Sequence, residues 1–130
     1  KALALQVLVD LLPGERVRDR AALEQAIAAR EQLAATIIRP GLAMPHVICP
    51  AITKPALSLL GCDEPLDWGS ALGPVQTIIL LAIPAALAPE QLRPLTRLAR
   101  ALMNEVVSTA LLHASSAPAR QAIVTDSLLS

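Results

Sequence analysis

Apolar positions along this chain switch between helical and strand-like spacing. Leu3, Leu5, Val7, Leu8, Leu11 and Leu12 form a stripe at helical spacing that Pro13-Gly14 ends, predicting a helix over residues 2–12. Asp19 is placed to cap a second helix over residues 20–32, with Leu23, Ala26, Ile27 and Arg30 along one side and Arg30 at its C-terminal end. Three short extended segments follow, over residues 36–38, 42–44 and 56–62, where β-branched and apolar residues are bounded by Pro and Gly. Residues 65–69 read as a turn or short edge segment. Residues 75–83 are nearly all apolar and rich in Ile, as a central strand buried on both faces requires. Pro89 suits the first turn of a helix running to about residue 104, with Leu92, Leu95, Leu98, Ala99 and Leu102 as its buried side and Pro94 expected to kink it. Helices over residues 105–114 and 117–129 complete the chain. Helices flanking a strand-rich middle predict a single-domain α/β/α sandwich with a mixed central sheet. The pattern leaves the strand order open.

Composition narrows the function classes. With 130 residues and 54% hydrophobic content, the chain suffices for one compact domain with a real core, and residues 1–130 are read as that domain. Eleven basic and eleven acidic residues cancel, so no broad positive field favours nucleic acid. The apolar run over residues 75–87 is broken by Pro84 and falls short of the roughly 20 residues of a membrane-spanning helix, so a cytoplasmic protein without membrane insertion is expected. Cys49 and Cys62 lack Cys-x-x-Cys spacing and read as reduced thiols. The chain opens inside an amphipathic stretch rather than a signal peptide, and a segment before Lys1 is expected to be missing. Trp68 is the sole aromatic residue, so the core must be aliphatic and an open sugar-binding groove is disfavoured.

Candidate chemistry is sparse. Asp63, Glu64 and Asp67 have no histidine nearby and read as a solvated loop, so neither a metal nor another cofactor is expected. His113 falls in a helical stretch and reads as a surface residue. No Gly-x-Ser-x-Gly elbow and no His-x-x-x-His pair is present. His46 differs, because Pro45 fixes its own φ and biases Met44 toward extended backbone, presenting the imidazole on a stiff strand end.

The hexapeptide Gly41-Leu42-Ala43-Met44-Pro45-His46, with Arg30-Glu31 beginning sixteen residues before the histidine, resembles the Gly-Ile-Ala-Ile-Pro-His signature of fructose/mannitol-type enzyme IIA domains. These belong to the phosphoenolpyruvate-dependent phosphotransferase system and include the nitrogen-regulatory IIA proteins. The segment Pro65-Leu66-Asp67-Trp68, the apolar strand ending in Pro84 and the helix from Leu92 to Leu102 extend the resemblance over nearly the whole chain. It implies a mixed central sheet between helices, with His46 as phosphoacceptor through Nε2, Nδ1 bonded to a carbonyl, and Arg30 stabilising the phosphoryl oxygens. A planar guanidinium fork suits that last role. Glu31 is expected to pair with Arg30 or a neighbour and orient it. Two positions depart from the family pattern: the usual second histidine is Gln91, which can donate a hydrogen bond but carries no charge, and the residue after His46 is Val47 rather than glycine.

The resemblance implies a phosphocarrier that takes a phosphoryl group from an HPr-like protein and passes it to a IIB component. A nitrogen-type regulator or a degenerate binding module, acting on a target protein, is the alternative. Leu42, Met44, Val47 and Ile48 are expected to form an apolar docking rim around His46, and the apolar composition makes a weak homodimer a further expectation.

Overall fold

A computed structural model describes residues 1–33 and 35–129. Its elements are α1 (Ala2–Leu11), α2 (Arg20–Leu33), β1 (Ile37–Arg39), β2 (Gly41–Ala43), β3 (His46–Ile48), β4 (Ala56–Leu66), β5 (Val75–Ile83), α3 (Pro89–Leu102), α4 (Glu105–His113) and α5 (Ala117–Leu129). Among the described residues the strands form one mixed five-stranded sheet organised on β5. On one edge of β5 lie β2 and β3, both parallel to it, and on the other lies β4, antiparallel; β1 extends the sheet beyond β2.

Both faces of β5 are covered, which explains its unbroken apolar run. Ile78, Leu80 and Ala82 point into a core shared with Leu8 of α1 and Leu23 and Ile27 of α2. Ile79 and Leu81 point into a second core built with Leu98 and Leu102 of α3, Leu111 of α4 and Val124 of α5. The alternation is the period of two of a pleated strand, and the helices on each face make an α/β/α sandwich.

Local chemistry sets several boundaries. Asp19 Oδ1 accepts from Ala22 N at 3.1 Å, capping α2 as expected. Asn104 does not continue α3; its side chain accepts from Val106 N at 2.9 Å and caps α4, so α3 ends at Leu102. Pro94 sits within α3, which runs unbroken from Pro89; the ring only removes the bond its N–H would have made to Glu90. Strand β4 extends past the expected residue 62 to Leu66, taking in Pro65, because β4 pairs with β5 alone and an edge strand tolerates a missing N–H. Inside that packing the buried Ser58 hydroxyl donates to Leu8 O at 2.7 Å, satisfying a carbonyl near the end of α1.

On β4, the Arg120 side chain from α5 lies against Gly61 so closely that any Cβ there would overlap the guanidinium. Burial pushes the neighbouring Cys62 thiol up, with Arg120 opposing the shift through its charge. A raised thiol pKa means less thiolate near neutral pH, so iodoacetamide should alkylate Cys62 more slowly than an unstructured cysteine peptide, with the gap narrowing as pH rises. Arg120→Ala should slow the reaction at neutral pH further. Mass-resolved alkylation rates check both, with the buried Cys49 as an internal slow reference.

Candidate functional site: a histidine at an open sheet edge

Strands β2 and β3 are two halves of one line along β5. Ala43 faces Ile78 and His46 faces Leu81, the same offset on both sides of Met44-Pro45. Gly41 makes the line possible: at φ 88° it occupies the left-handed region, turning the chain from β1 into β2. Met44 N donates to Thr36 O at 2.8 Å, and Leu81 N donates to Pro45 O at 2.9 Å, so the bend before the histidine is pinned from both sides. Pro45 is itself fully buried.

The outer edge of this line is covered only in its first half. Strand β1 pairs with β2, ending at the Ile37–Ala43 register, and among the described residues β3 pairs with β5 alone. His46, the first residue of β3, therefore sits where the sheet edge becomes uncovered, half-buried and beside the last turn of α2. It shares an open depression of about 750 Å³ with Arg30 of that turn, and Leu33 and Ile48 form its exposed apolar margin.

The imidazole orientation is set by its own strand. Nδ1 lies 3.0 Å from Met44 O. A carbonyl can only accept, so Nδ1 carries the proton and the neutral ring keeps its lone pair on Nε2. That is the arrangement a nitrogen nucleophile needs: one nitrogen tethered, the other available for in-line attack.

The expected apolar rim is corrected in two positions. Leu42 is buried in one core and Met44 packs against it, so neither lines the depression, whereas the buried Val47 and the exposed Ile48 both line it. Leu33 joins Ile48 at the margin; it lies on the helical face that carries Ala26, Ala29 and Arg30, a spacing that could have revealed it. Val47 is buried in the core beneath α1 and α2, which shows how a β-branched residue fits after the histidine.

Glu31 is 7% exposed and pairs with Lys1 Nζ at 2.9 Å, while accepting a hydrogen bond from the Thr36 hydroxyl. Its carboxylate thus ties the end of α2 to the start of α1 and to the segment entering β1. Gln91 stands elsewhere. Its Oε1 accepts from Ala88 N at 3.2 Å at the start of α3, and the side chain lines a separate cleft with Arg16 and Lys54. The structure brings His46 and Arg30 into one depression and puts Gln91 in another.

The remaining polar groups lie outside this depression. His113 is exposed at the end of α4. Asp67 Oδ1 accepts from Gly69 N at 2.9 Å, shaping the turn after β4. Among the described residues no three His, Cys, Asp or Glu side chains stand close enough to hold a metal ion. No helix among them is long and apolar enough to cross a membrane.

Fold and site together define a class: an α/β sandwich that presents one tethered histidine beside an arginine on an open surface. Residues 1–126 match the family model described as phosphoenolpyruvate-dependent sugar phosphotransferase system, EIIA 2, and the chain belongs to that family. It is 31% identical over 125 residues to the fructose-specific EIIA component of Haloferax volcanii, covering 95% of this chain and 81% of that protein. Among solved structures, it is similar to the nitrogen regulatory protein IIA-Ntr of Neisseria meningitidis, with a TM-score of 0.70, 27% identity, and 85% of this chain and 76% of that one covered. The same fold occurs in the Escherichia coli mannitol enzyme IIA solved in complex with phosphorylated mannitol enzyme IIB. There the TM-score is 0.74 at 21% identity, covering 97% of this chain and 88% of that one.

Proposed function

We propose that this protein is a phosphocarrier in which Nε2 of His46 takes a phosphoryl group from an HPr-like phosphohistidine donor and passes it to a IIB component. The observation that carries the reading is the Nδ1 contact with Met44 O, which leaves the Nε2 lone pair as the nucleophile. Phosphoryl transfer places little covalent demand on the protein; aim and charge stabilisation do the work. Arg30, lining the same depression, supplies a permanent cation and a planar donor fork for the equatorial oxygens. Exposed Leu33 and Ile48 give the margin the apolar character that transient docking uses. Membership of the family supports this reading, as does the IIA–IIB complex formed by the mannitol relative.

A regulatory reading, in which phosphorylation of His46 governs binding to a target protein, is favoured by one observation. Gln91, at the position of the family's second histidine, is engaged in capping α3 in a separate cleft. That cap uses only Oε1 and leaves the amide N–H donors available, but the side chain lines the cleft away from His46 rather than the depression. Slow transfer suits a switch better than a transport relay.

Incubation with phosphoenolpyruvate, enzyme I and HPr, followed by intact mass, tests the reading. Wild type should gain one phosphoryl group. Arg30→Gln should label about 10²–10³-fold more slowly, the cost of removing one preorganised donor to developing charge, while retaining the wild-type circular dichroism. Arg30→Lys should fall between them, because charge remains without the fork. A change of less than twofold in Arg30→Gln would remove the arginine from the site. Absence of any label on folded wild type with cognate donors would leave a protein-binding module without phosphoryl transfer.

A further inference from the structure

We propose that the cleft on the other edge of β5 from His46 binds a small amphiphilic anion, an acidic headgroup on a short apolar body. The cleft measures about 470 Å³ and lies between the start of β4, the first turns of α3 and the end of α5. That volume is within the range of small-molecule sites, which combine mostly apolar walls with a few placed polar groups.

Two cations are built into its rim. Val17 and Ile52 form an antiparallel bridge outside the sheet, and Thr53 N donates to Arg16 O at 2.9 Å. This pairing sets Arg16 and Lys54 side by side from distant parts of the chain. Arg16 is anchored further, since its Nη1 donates to Pro55 O, fixing one arm of the fork and leaving the other donors to point elsewhere. Neither Arg16 nor Lys54 forms an ion pair among the described residues, and no acidic side chain lines the cleft. In a chain of zero net charge, two neighbouring cations without a carboxylate create a local positive field over a concave surface.

The floor is apolar. Leu57 of β4, Leu95 of α3 and Leu128 of α5 supply it, and Gln91, its Oε1 held by Ala88 N, offers its amide N–H donors at the wall. Inorganic phosphate alone would leave those leucines unused, and a neutral hydrophobe would leave the cations unused. A phosphate monoester or a carboxylate carrying a short aliphatic chain uses both.

The test is a titration of the ¹⁵N-labelled chain by NMR with hexyl phosphate and with octanoate, with inorganic phosphate and hexanol as single-feature controls. Saturable shifts should appear at the amides of Ala56, Leu57, Gln91, Leu95 and Leu128, while His46, Val47 and Ile48 stay in place. Whichever of hexyl phosphate and octanoate binds tighter identifies the headgroup. Lys54→Glu, at an exposed position that leaves the fold unburdened, should weaken binding about tenfold or more, as loss of a charged contact does. Arg16→Lys should weaken it less. The proposal is overturned if neither amphiphile saturates, if Lys54→Glu binds like wild type, if inorganic phosphate binds as tightly as hexyl phosphate, or if the shifts centre on His46.

Discussion

His46→Ala should lose phosphoryl labelling completely in the enzyme I and HPr assay while folding as wild type. The side chain is half-buried at an uncovered strand edge, so its removal opens no core cavity. Backbone pairing of residue 46 with Leu81 does not depend on the imidazole, and the lost Nδ1–H···O bond to Met44 is worth about 0.5–1.5 kcal/mol net. Chemistry suffers far more, because His113, the chain's other histidine, is exposed at the end of α4 and lies outside the depression. The wild-type label should be lost on brief acid treatment and survive alkali, as a phosphorus–nitrogen bond requires. Persistence of an acid-labile label in His46→Ala would move the acceptor to His113 and overturn the assignment. A label stable to acid would point to a hydroxyl instead.

Trp68→Ala should be the most destabilising single truncation, at about 3–5 kcal/mol. The indole is fully buried and packs among the residues that join α1 and α2 to the sheet. Lys1 Nζ lies 5.1 Å from its ring centroid and donates to its backbone carbonyl at 3.3 Å, so the same residue holds the start of α1. A small aliphatic core has little redundancy, and for a domain of this size the loss corresponds to a melting-temperature fall of roughly 10–20 °C. Trp68→Phe should cost distinctly less than the alanine change. It keeps most of the volume, and it removes an indole N–H that is buried without an acceptor among the described residues. Thermal denaturation followed by circular dichroism decides the matter. Equal losses in the alanine and phenylalanine variants would show that shape, not volume, governs the site.

Much of this protein was legible before any coordinates. The strand over residues 75–83 and the helix over residues 117–129 stand where the pattern put them, because a doubly buried strand and a capped helix are written in short-range periodicity. Asp19 capping α2 and Pro89 opening α3 are equally local facts. Fold class followed from the same kind of signal, whereas the family and the candidate pair His46 and Arg30 came from the resemblance of the Gly41–His46 motif and its spacing from Arg30.

What only the tertiary structure decided depends on contacts between distant residues. Three-residue strands such as β3 carry no periodicity of their own; pairing with Leu81–Ile83 makes His46–Ile48 a strand. Because β1 stops opposite Ala43, the edge at His46 is open, and no local pattern specifies where a neighbouring strand stops. Burial of Leu42 and Val47 and exposure of Leu33 follow from which face each element turns to the cores. Glu31 reaches Lys1 across the chain, and Gln91 parts from His46 because α3 starts beyond the end of β5, with Gln91 facing the cleft on the β4 side. The amino-acid sequence by itself determined the helices, the long central strand, the fold class and the candidate nucleophile, since these are read from residues a few positions apart. The tertiary structure decided strand order, the open edge and the residues that share the depression, since these are set by long-range packing, in which a residue's neighbours in space are not its neighbours in sequence.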